Sequence, residues 1–142
     1  MKLSTLIVVA FLTVFSVQLA TAASDDIESL IETCSATVQG MTDDLKARYR
    51  ANEYPDDPVT HCFVRCVGLT LNLYTDEDGV DLEANWQHLG NGVGDEEDQF
   101  IANHRACLDG RNLNAIENLC DRAYSAFQCL KEEYGMDQTG QK

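Results

Sequence analysis

The fold is decided around one stretch of the chain, Asp57-Pro58-Val59-Thr60-His61-Cys62-Phe63-Val64-Arg65-Cys66. Asp57 followed by Pro58 is a strong helix start, because the N–H that proline lacks would have no partner in the first turn anyway. Cys62 and Cys66 are four residues apart, so on this helix they share a face, and each reaches a different neighbour more readily than the other. The stretch therefore predicts a helix, ending near Leu73, that is tied covalently to two other parts of the chain.

Four further cysteines, Cys34, Cys107, Cys120 and Cys129, complete a set of six. An even number of cysteines behind a signal peptide predicts three disulfides, although the count alone leaves their pairing open. Cys120 and Cys129 are nine residues apart, about 900° of helical rotation, which puts them on opposite sides of one helix. That helix can be linked to two different partners.

The first 22 residues have the features of a secretory signal peptide. Lys2 supplies the positive charge, Leu6 to Val17 the apolar run, and Ala20-Thr21-Ala22 the small-residue cleavage site. Residues 23–142 are then predicted to form one domain, and loss of Lys2 takes the net charge from -14 to -15. We expect a secreted, extracellular protein.

The charge balance argues against several partners. The chain has 24 acidic and 10 basic residues, so it repels phosphate backbones and anionic headgroups, and no Lys or Arg cluster overrides the repulsion. We predict no nucleic-acid partner. We also predict no membrane span in the mature chain, because Arg65 and Asn72 already interrupt Phe63 to Tyr74. The excess negative charge either keeps the protein soluble or attracts a cationic ligand.

Gly, Pro and N-cap residues separate segments in which apolar residues recur with a helical period of 3.6. We therefore predict about six helices in the mature chain, and we find no credible strand. The predicted helices run from a Ser24 or Asp25 cap past Val38, from Thr42 past Tyr49, from Pro58 to about Leu73, from Asp81 to Leu89, from Asp95 to Gly110, and from an Asn112 cap to Gly135. Residues 90–94 are predicted to form a flexible loop. The last helix has the clearest apolar stripe, so we expect it to be central in an all-α, compact six-helix domain.

Two metal hypotheses fail on the sequence. His61, Cys62 and Cys66 suggest zinc, but secretion favours oxidation, and no second ligand pair has zinc-site spacing. The acidic run Asp76-Glu77-Asp78-Gly79 suggests a calcium loop, but an EF-hand with Gly79 at its turn would begin at Tyr74 and end at Asn85, neither of which is a carboxylate. We predict a plain turn there, and no metal or other cofactor.

The full cysteine spacing is Cys34-x27-Cys62-x3-Cys66-x40-Cys107-x12-Cys120-x8-Cys129. With six predicted helices, it resembles the insect odorant-binding proteins, a family that includes the pheromone-binding and general odorant-binding proteins. The resemblance covers the whole mature chain, and the x3 and x8 gaps are its most specific elements. It implies three interlocked disulfides, Cys34 to Cys66, Cys62 to Cys120 and Cys107 to Cys129, around an internal apolar cavity.

The implied function is transport of small hydrophobic molecules, namely odorants, pheromones or fatty-acid-like lipids, in that cavity. An apolar molecule gains roughly 25 cal/mol for each Å² removed from water. The resemblance puts the cavity walls largely on helices three to six, which offer Leu69, Leu73, Leu82, Trp86, Leu89, Phe100, Ala123, Phe127, Leu130 and Tyr134. An odorant receptor is a further partner that the resemblance suggests, and we expect a monomer or weak homodimer.

Other functions stay open beside this one. Salivary relatives of the same family sequester biogenic amines with aromatic and acidic side chains around the cation, but this chain has one Trp and lacks their paired-Trp pattern. A secreted hydrolase is disfavoured because the disulfides consume every cysteine and no Gly-x-Ser-x-Gly occurs, so we predict no enzyme. A structural or developmental secreted factor is the remaining alternative.

Three histidines and the C-terminus suggest how a ligand is released. His61, His88 and His104 gain charge between about pH 5 and 7, so acid is expected to favour release, with His104 nearest the inner face of its helix. Leu130 and Tyr134 extend the buried stripe of the last helix beyond the last cysteine, where no disulfide holds it. Deletion of residues 134–142 is therefore predicted to weaken binding.

Overall fold

A computed structural model of the chain describes residues 22–134, apart from the side chains of residues 22–26 and 90–93. The predicted signal peptide, except for its last residue, and the chain beyond Tyr134 lie outside these described residues. Within them, no helix has the length and apolar character needed to cross a membrane.

Six α-helices make up most of the described chain, which confirms the all-α, six-helix prediction. The helices are α1 Ala22–Ser35, α2 Asp43–Arg50, α3 Pro58–Thr70, α4 Leu82–Val93, α5 Glu97–Gly110 and α6 Leu119–Tyr134. A short antiparallel hairpin, β1 Tyr74–Thr75 with β2 Gly79–Val80, joins α3 to α4, and a 3-10 turn, Leu113–Ala115, precedes α6. The sequence predicted only a turn at this hairpin, because two-residue strands are too short to show alternation.

The predicted starts of α2 and α3 are confirmed by their caps. Thr42 Oγ1 accepts a hydrogen bond from the Leu45 N–H, and Asp57 Oδ1 accepts from the N–H groups of Val59 and Thr60. These bonds satisfy backbone donors that have no partner inside the helix. The side chain of Asp81 caps α4 in the same way, through the Ala84 N–H.

The predicted loop at residues 90–94 is wrong. α4 continues to Val93, and Gly94 ends it in the left-handed conformation, at φ 80°. A glycine inside a helix costs only about 1 kcal/mol relative to alanine, a penalty that tertiary packing overrides. α4 packs along α5, so glycine spacing alone was a poor guide to where it ends.

The predicted last helix is divided in two. Asn112 is left-handed, at φ 47°, and makes no side-chain cap. Asn118 caps α6 instead, because its Oδ1 accepts from the N–H groups of Cys120 and Asp121. Between the two asparagines, Ile116 is extended, so the apolar residues before Leu119 do not belong to the central helix.

The three disulfides confirm the pairing that the resemblance implied. Cys34 bonds Cys66, Cys62 bonds Cys120 and Cys107 bonds Cys129, with Cα–Cα distances of 5.8, 4.5 and 5.8 Å. α3 is thereby linked to α1 and α6, and α6 is also linked to α5. Because Cys62 and Cys66 are both oxidised, neither is available as a metal ligand.

Two clusters of buried side chains form the core. The first joins α1, α2 and α3 through Ile31, Cys34, Tyr49 and Phe63. The second joins α5 and α6 through Phe100, Leu130 and Tyr134, with Trp86 and Leu89 of α4 packed against it. Members of both clusters also line the cavity described next.

Candidate functional site

A cavity of about 240 Å³ is lined by residues of α3, the hairpin, α4, α5, α6 and the α2–α3 connector. Its walls are mostly apolar, and among residues 22–134 no Lys, Arg, Asp or Glu is found in the lining. The lining residues are Asn52, Tyr54, Phe63, Val64, Val67, Gly68, Leu71, Leu73, Tyr74, Val80, Asn85, His88, Leu89, His104, Ala123, Ala126, Phe127 and Leu130.

The α3 wall carries Phe63, Val64, Val67 and Gly68, which recur at the three- and four-residue spacing of one helix face. Gly68 allows the hairpin to approach closely, since a Cβ at this position would lie 3.0 Å from the Tyr74 Cβ. An Arg65–Asp76 ion pair also ties α3 to the hairpin. The Arg65 guanidinium holds the pKa of the Asp76 carboxyl below its ordinary value.

The α4 wall contains a polar residue, Asn85, that is 3% exposed. Its Nδ2 donates to the backbone carbonyls of Leu73 and Asp81, at 2.9 and 2.7 Å. A buried amide is costly unless it is hydrogen-bonded. Here one bond joins α4 to Leu73, just before the hairpin, and the other goes to Asp81, the N-cap residue of α4. Asn85 therefore fixes the position of the backbone around this wall through its two hydrogen bonds.

The α6 wall carries Ala123, Ala126, Phe127 and Leu130. The two alanines leave space that larger side chains would occupy. The Phe127 ring meets Tyr54 of the connector edge to face, with centroids 5.2 Å apart, a favoured geometry for two aromatic rings. In this way the connector closes the side of the cavity nearest α6.

His104 of α5 is fully buried and lines the cavity. Neither Nδ1 nor Nε2 has a hydrogen-bond partner in the described chain. Burial lowers the pKa of His104 from 6.5 to about 4, because the charged ring would lose its hydration. At neutral pH His104 therefore carries no charge.

The ten residues predicted to contact a ligand divide into two groups. Five line the cavity: Leu73, Leu89, Ala123, Phe127 and Leu130. The other five, Leu69, Leu82, Trp86, Phe100 and Tyr134, are not among the lining residues. Ligand contact by any of the ten stays a prediction.

The five residues outside the lining have other surroundings. Leu69 is 37% exposed, on the outer face of α3. The Phe100 ring is stacked on Tyr134 and tilted against Trp86, with ring centroids at 5.0 and 5.5 Å. The amphipathic pattern of α4 favoured Leu82 and Trp86 as its inner face, whereas Asn85, His88 and Leu89 line the cavity. Hydropathy cannot reveal that a polar Asn85 belongs to the wall, since one of its two hydrogen-bond partners, the Leu73 carbonyl, lies 12 residues away.

The three histidines occupy different environments. The side chain of His61 is 15% exposed, bonded to Asp56 and Asp121 at 2.8 Å each, and is not among the lining residues. His88 lines the cavity and is exposed. His104 is the buried one, as its position before Cys107 suggested. The acid-release prediction and the tail-deletion prediction stay untested, and residues 135–142 lie outside the described chain.

Comparison with known proteins gives a consistent picture. Residues 17–133 match the PBP/GOBP family profile. General odorant-binding proteins 99a and 99b of Drosophila melanogaster are each 32% identical over 63% of this chain, and the match spans 62% and 60% of their own lengths, respectively. The chain thus spans about three fifths of these relatives.

Solved structures from Anopheles gambiae are more similar. A crystal structure of odorant-binding protein 22a is 64% identical, with a TM-score of 0.68, and the match covers 76% of this chain and 99% of that one. A second structure of that protein, with the bound odorant cyclohexanone, is 65% identical, with a TM-score of 0.69, over 76% and 91% of the two chains.

Proposed function

Because this chain belongs to the PBP/GOBP family, we propose that it is a secreted carrier of small, uncharged hydrophobic molecules, which it holds in the internal cavity. One observation carries the proposal, namely a cavity with mostly apolar walls and, among the described residues that line it, no Lys, Arg, Asp or Glu.

The disulfides fit an extracellular protein, because they persist in oxidising compartments. The predicted signal peptide supports the same conclusion. The relatives are odorant-binding proteins, a family without catalysis, and we propose no enzymatic activity for this chain. We also propose that the ligand is passed to an odorant receptor. The carrier itself is proposed to be a monomer or a weak homodimer.

The amine-scavenger alternative has less support. An ammonium ion in an apolar cavity needs a carboxylate or aromatic faces around it, since its hydration is otherwise lost without compensation. Aromatic rings do line the cavity, but no Asp or Glu is among the lining residues of the described chain, so no carboxylate there would balance the charge of an ammonium ion. Trp86, the one tryptophan, packs on Phe100 and is not a lining residue.

Calorimetric titration of the mature protein with cyclohexanone tests the proposal. We expect one site with a dissociation constant near the micromolar range, about -8 kcal/mol. Calorimetry is preferable to tryptophan fluorescence, because Trp86 does not line the cavity. Binding of serotonin or histamine with no binding of cyclohexanone would favour the alternative.

A matched pair of variants locates the site. Ala126 is 1% exposed and lines the cavity, so Ala126→Leu fills part of the volume and is expected to weaken binding at least about tenfold. Ala102 is exposed on α5, so Ala102→Leu adds the same atoms outside and leaves affinity unchanged. Equal affinities for both variants would place the ligand elsewhere.

A further inference from the structure

Three described residues have buried side-chain polar atoms without a hydrogen-bond partner in that part of the chain: Ser35, Tyr74 and His104. Buried polar groups are nearly always hydrogen-bonded, so each exception calls for an explanation. Only Tyr74 and His104 line the cavity. An unpaired polar atom in a cavity wall is explained if an occupant of the cavity supplies its partner.

The two residues differ in their electrostatic surroundings. The pKa of the Tyr74 hydroxyl is raised chiefly by burial but also responds to the charges of Asp76, Arg122 and Arg65. The pKa of His104 is lowered by burial alone, and its ring meets Phe100 edge to face at 5.6 Å. His104 therefore lies in the apolar part of the wall. In such surroundings the free-energy difference between a hydrogen-bonded and an unpaired polar group is largest.

A neutral imidazole has one nitrogen that donates and one that accepts. It can donate to a carbonyl oxygen, and it can donate to or accept from a hydroxyl group, with the tautomer following the ligand. It offers no charge to balance an ionised carboxylate or ammonium, and no Lys, Arg, Asp or Glu is among the lining residues of the described chain.

On the basis of the proposed carrier function, we propose that His104 is the specificity-determining residue of the cavity, which it makes selective for uncharged ligands bearing a carbonyl or hydroxyl oxygen. The apolar walls hold the hydrocarbon part of such a ligand. The imidazole of His104 pairs with its oxygen, so the ligand satisfies a polar group that the folded chain leaves unpaired.

Two ligands of matched shape test this selectivity. Cyclohexanone and methylenecyclohexane have the same ring and differ by an oxygen in place of a CH₂ group. The quantity to measure by calorimetry is the ratio of their dissociation constants, in the wild type and in His104→Leu. One hydrogen bond is worth about fivefold in affinity, so the ratio should shift about fivefold against the ketone in the variant, while methylenecyclohexane binds at least as tightly as before.

Two tyrosine variants complete the test. Tyr49 does not line the cavity, and its hydroxyl is bonded to Thr60 at 2.9 Å, so Tyr49→Phe should leave the ratio unchanged. Tyr74→Phe removes the hydroxyl that, beside the His104 nitrogens, is unpaired in the described wall. A shift of the ratio in Tyr74→Phe and none in His104→Leu would overturn the assignment to His104.

The outcomes separate this inference from the proposed function. If neither ligand binds the wild type, the carrier proposal fails. If both bind and the ratio is the same in wild type and His104→Leu, the carrier proposal stands and His104 has no selective role. Should His104→Leu not fold, ¹⁵N NMR of the wild type decides, because cyclohexanone must shift the imidazole nitrogens of His104 and methylenecyclohexane must not.

Discussion

The hydroxyl of Tyr124 donates a hydrogen bond of 2.9 Å to the backbone carbonyl of Tyr54, 70 residues earlier in the chain. The bond fixes the connector between α2 and α3 against α6, at the place where Tyr54 also meets Phe127. One wall of the cavity therefore depends on a side chain that is not among the lining residues.

Replacing Tyr124 by Phe should destabilise the fold by about 1 to 2 kcal/mol, because the Tyr54 carbonyl loses its partner. Urea denaturation measures the loss. The matched control is Tyr74→Phe, which removes a buried hydroxyl without a partner in the described chain and should cost nothing or stabilise. Equal losses in the two variants would mean that the Tyr124 bond contributes nothing.

The disulfides should differ in their contribution to stability according to the length of chain that they enclose. Cys62–Cys120 spans 58 residues and Cys107–Cys129 spans 22. In the chain-entropy account these loops correspond to about 4 and about 3 kcal/mol. We expect the Cys62→Ala, Cys120→Ala pair to lower the unfolding free energy more than the Cys107→Ala, Cys129→Ala pair. The reverse order would point to the packing of buried Cys129 rather than loop length as the larger effect.

Gly68→Ala should distort the contact between α3 and the hairpin. The new Cβ would lie 3.0 Å from Tyr74 Cβ, an atom attached directly to the backbone and unable to rotate away. Alanine favours the helix by about 1 kcal/mol, but a forced backbone shift costs about 1 to 3 kcal/mol. We expect a net loss of about 1 kcal/mol in thermal or urea unfolding, and weaker cyclohexanone binding.

Gly110→Ala is the matched control for that variant. Gly110 also lies in a helix, but a Cβ there meets nothing within 4 Å, so the helix preference alone remains and the variant should be neutral or slightly more stable. If Gly68→Ala is as stable as Gly110→Ala, the hairpin is not held by close approach to α3.

The pKa of His104 predicts how stability depends on pH. The folded value is about 4 and the unfolded value about 6.5, so between these the unfolded chain binds a proton that the folded chain does not. Stability is therefore lost as the pH falls from about 6.5 to about 4, by up to about 3 kcal/mol. The carboxylates titrate in the same range, so the difference between wild type and His104→Leu isolates the histidine. Parallel stability curves for the two proteins from pH 7 to pH 4 would contradict the prediction.

Most of the helix starts could be predicted from the sequence, because they depend on local chemistry. Thr42, Asp57 and Asp81 each bond an N–H two or three residues away, and such contacts are determined by neighbouring residues. Asn112 shows the limit of the argument. Its side chain is equally suited to capping, but the backbone there turns left-handed and Asn118 caps α6.

The α6 wall of the cavity was also predictable. Ala123, Phe127 and Leu130 lie on the strongest apolar stripe of the chain, and the central helix presents that stripe to its neighbours. The disulfide pairing followed from a family resemblance. Helix geometry alone excluded only the bonds between cysteines on the same helix.

Beyond the α6 wall and the predicted Leu73 and Leu89, only the tertiary structure decided which side chains reach the cavity. α3 and α4 each present a face chosen by how the helix is rotated in the packed domain, so Leu69 lies outside while Asn85 lies inside. Tyr54 belongs to a connector without periodicity, and it reaches the wall because Tyr124 holds it there. His104 has an ordinary sequence context, and its unpaired nitrogens result from neighbours brought together from distant parts of the chain. Local sequence determines where helices begin, whereas hydration, burial and hydrogen-bond pairing depend on contacts that only folding creates.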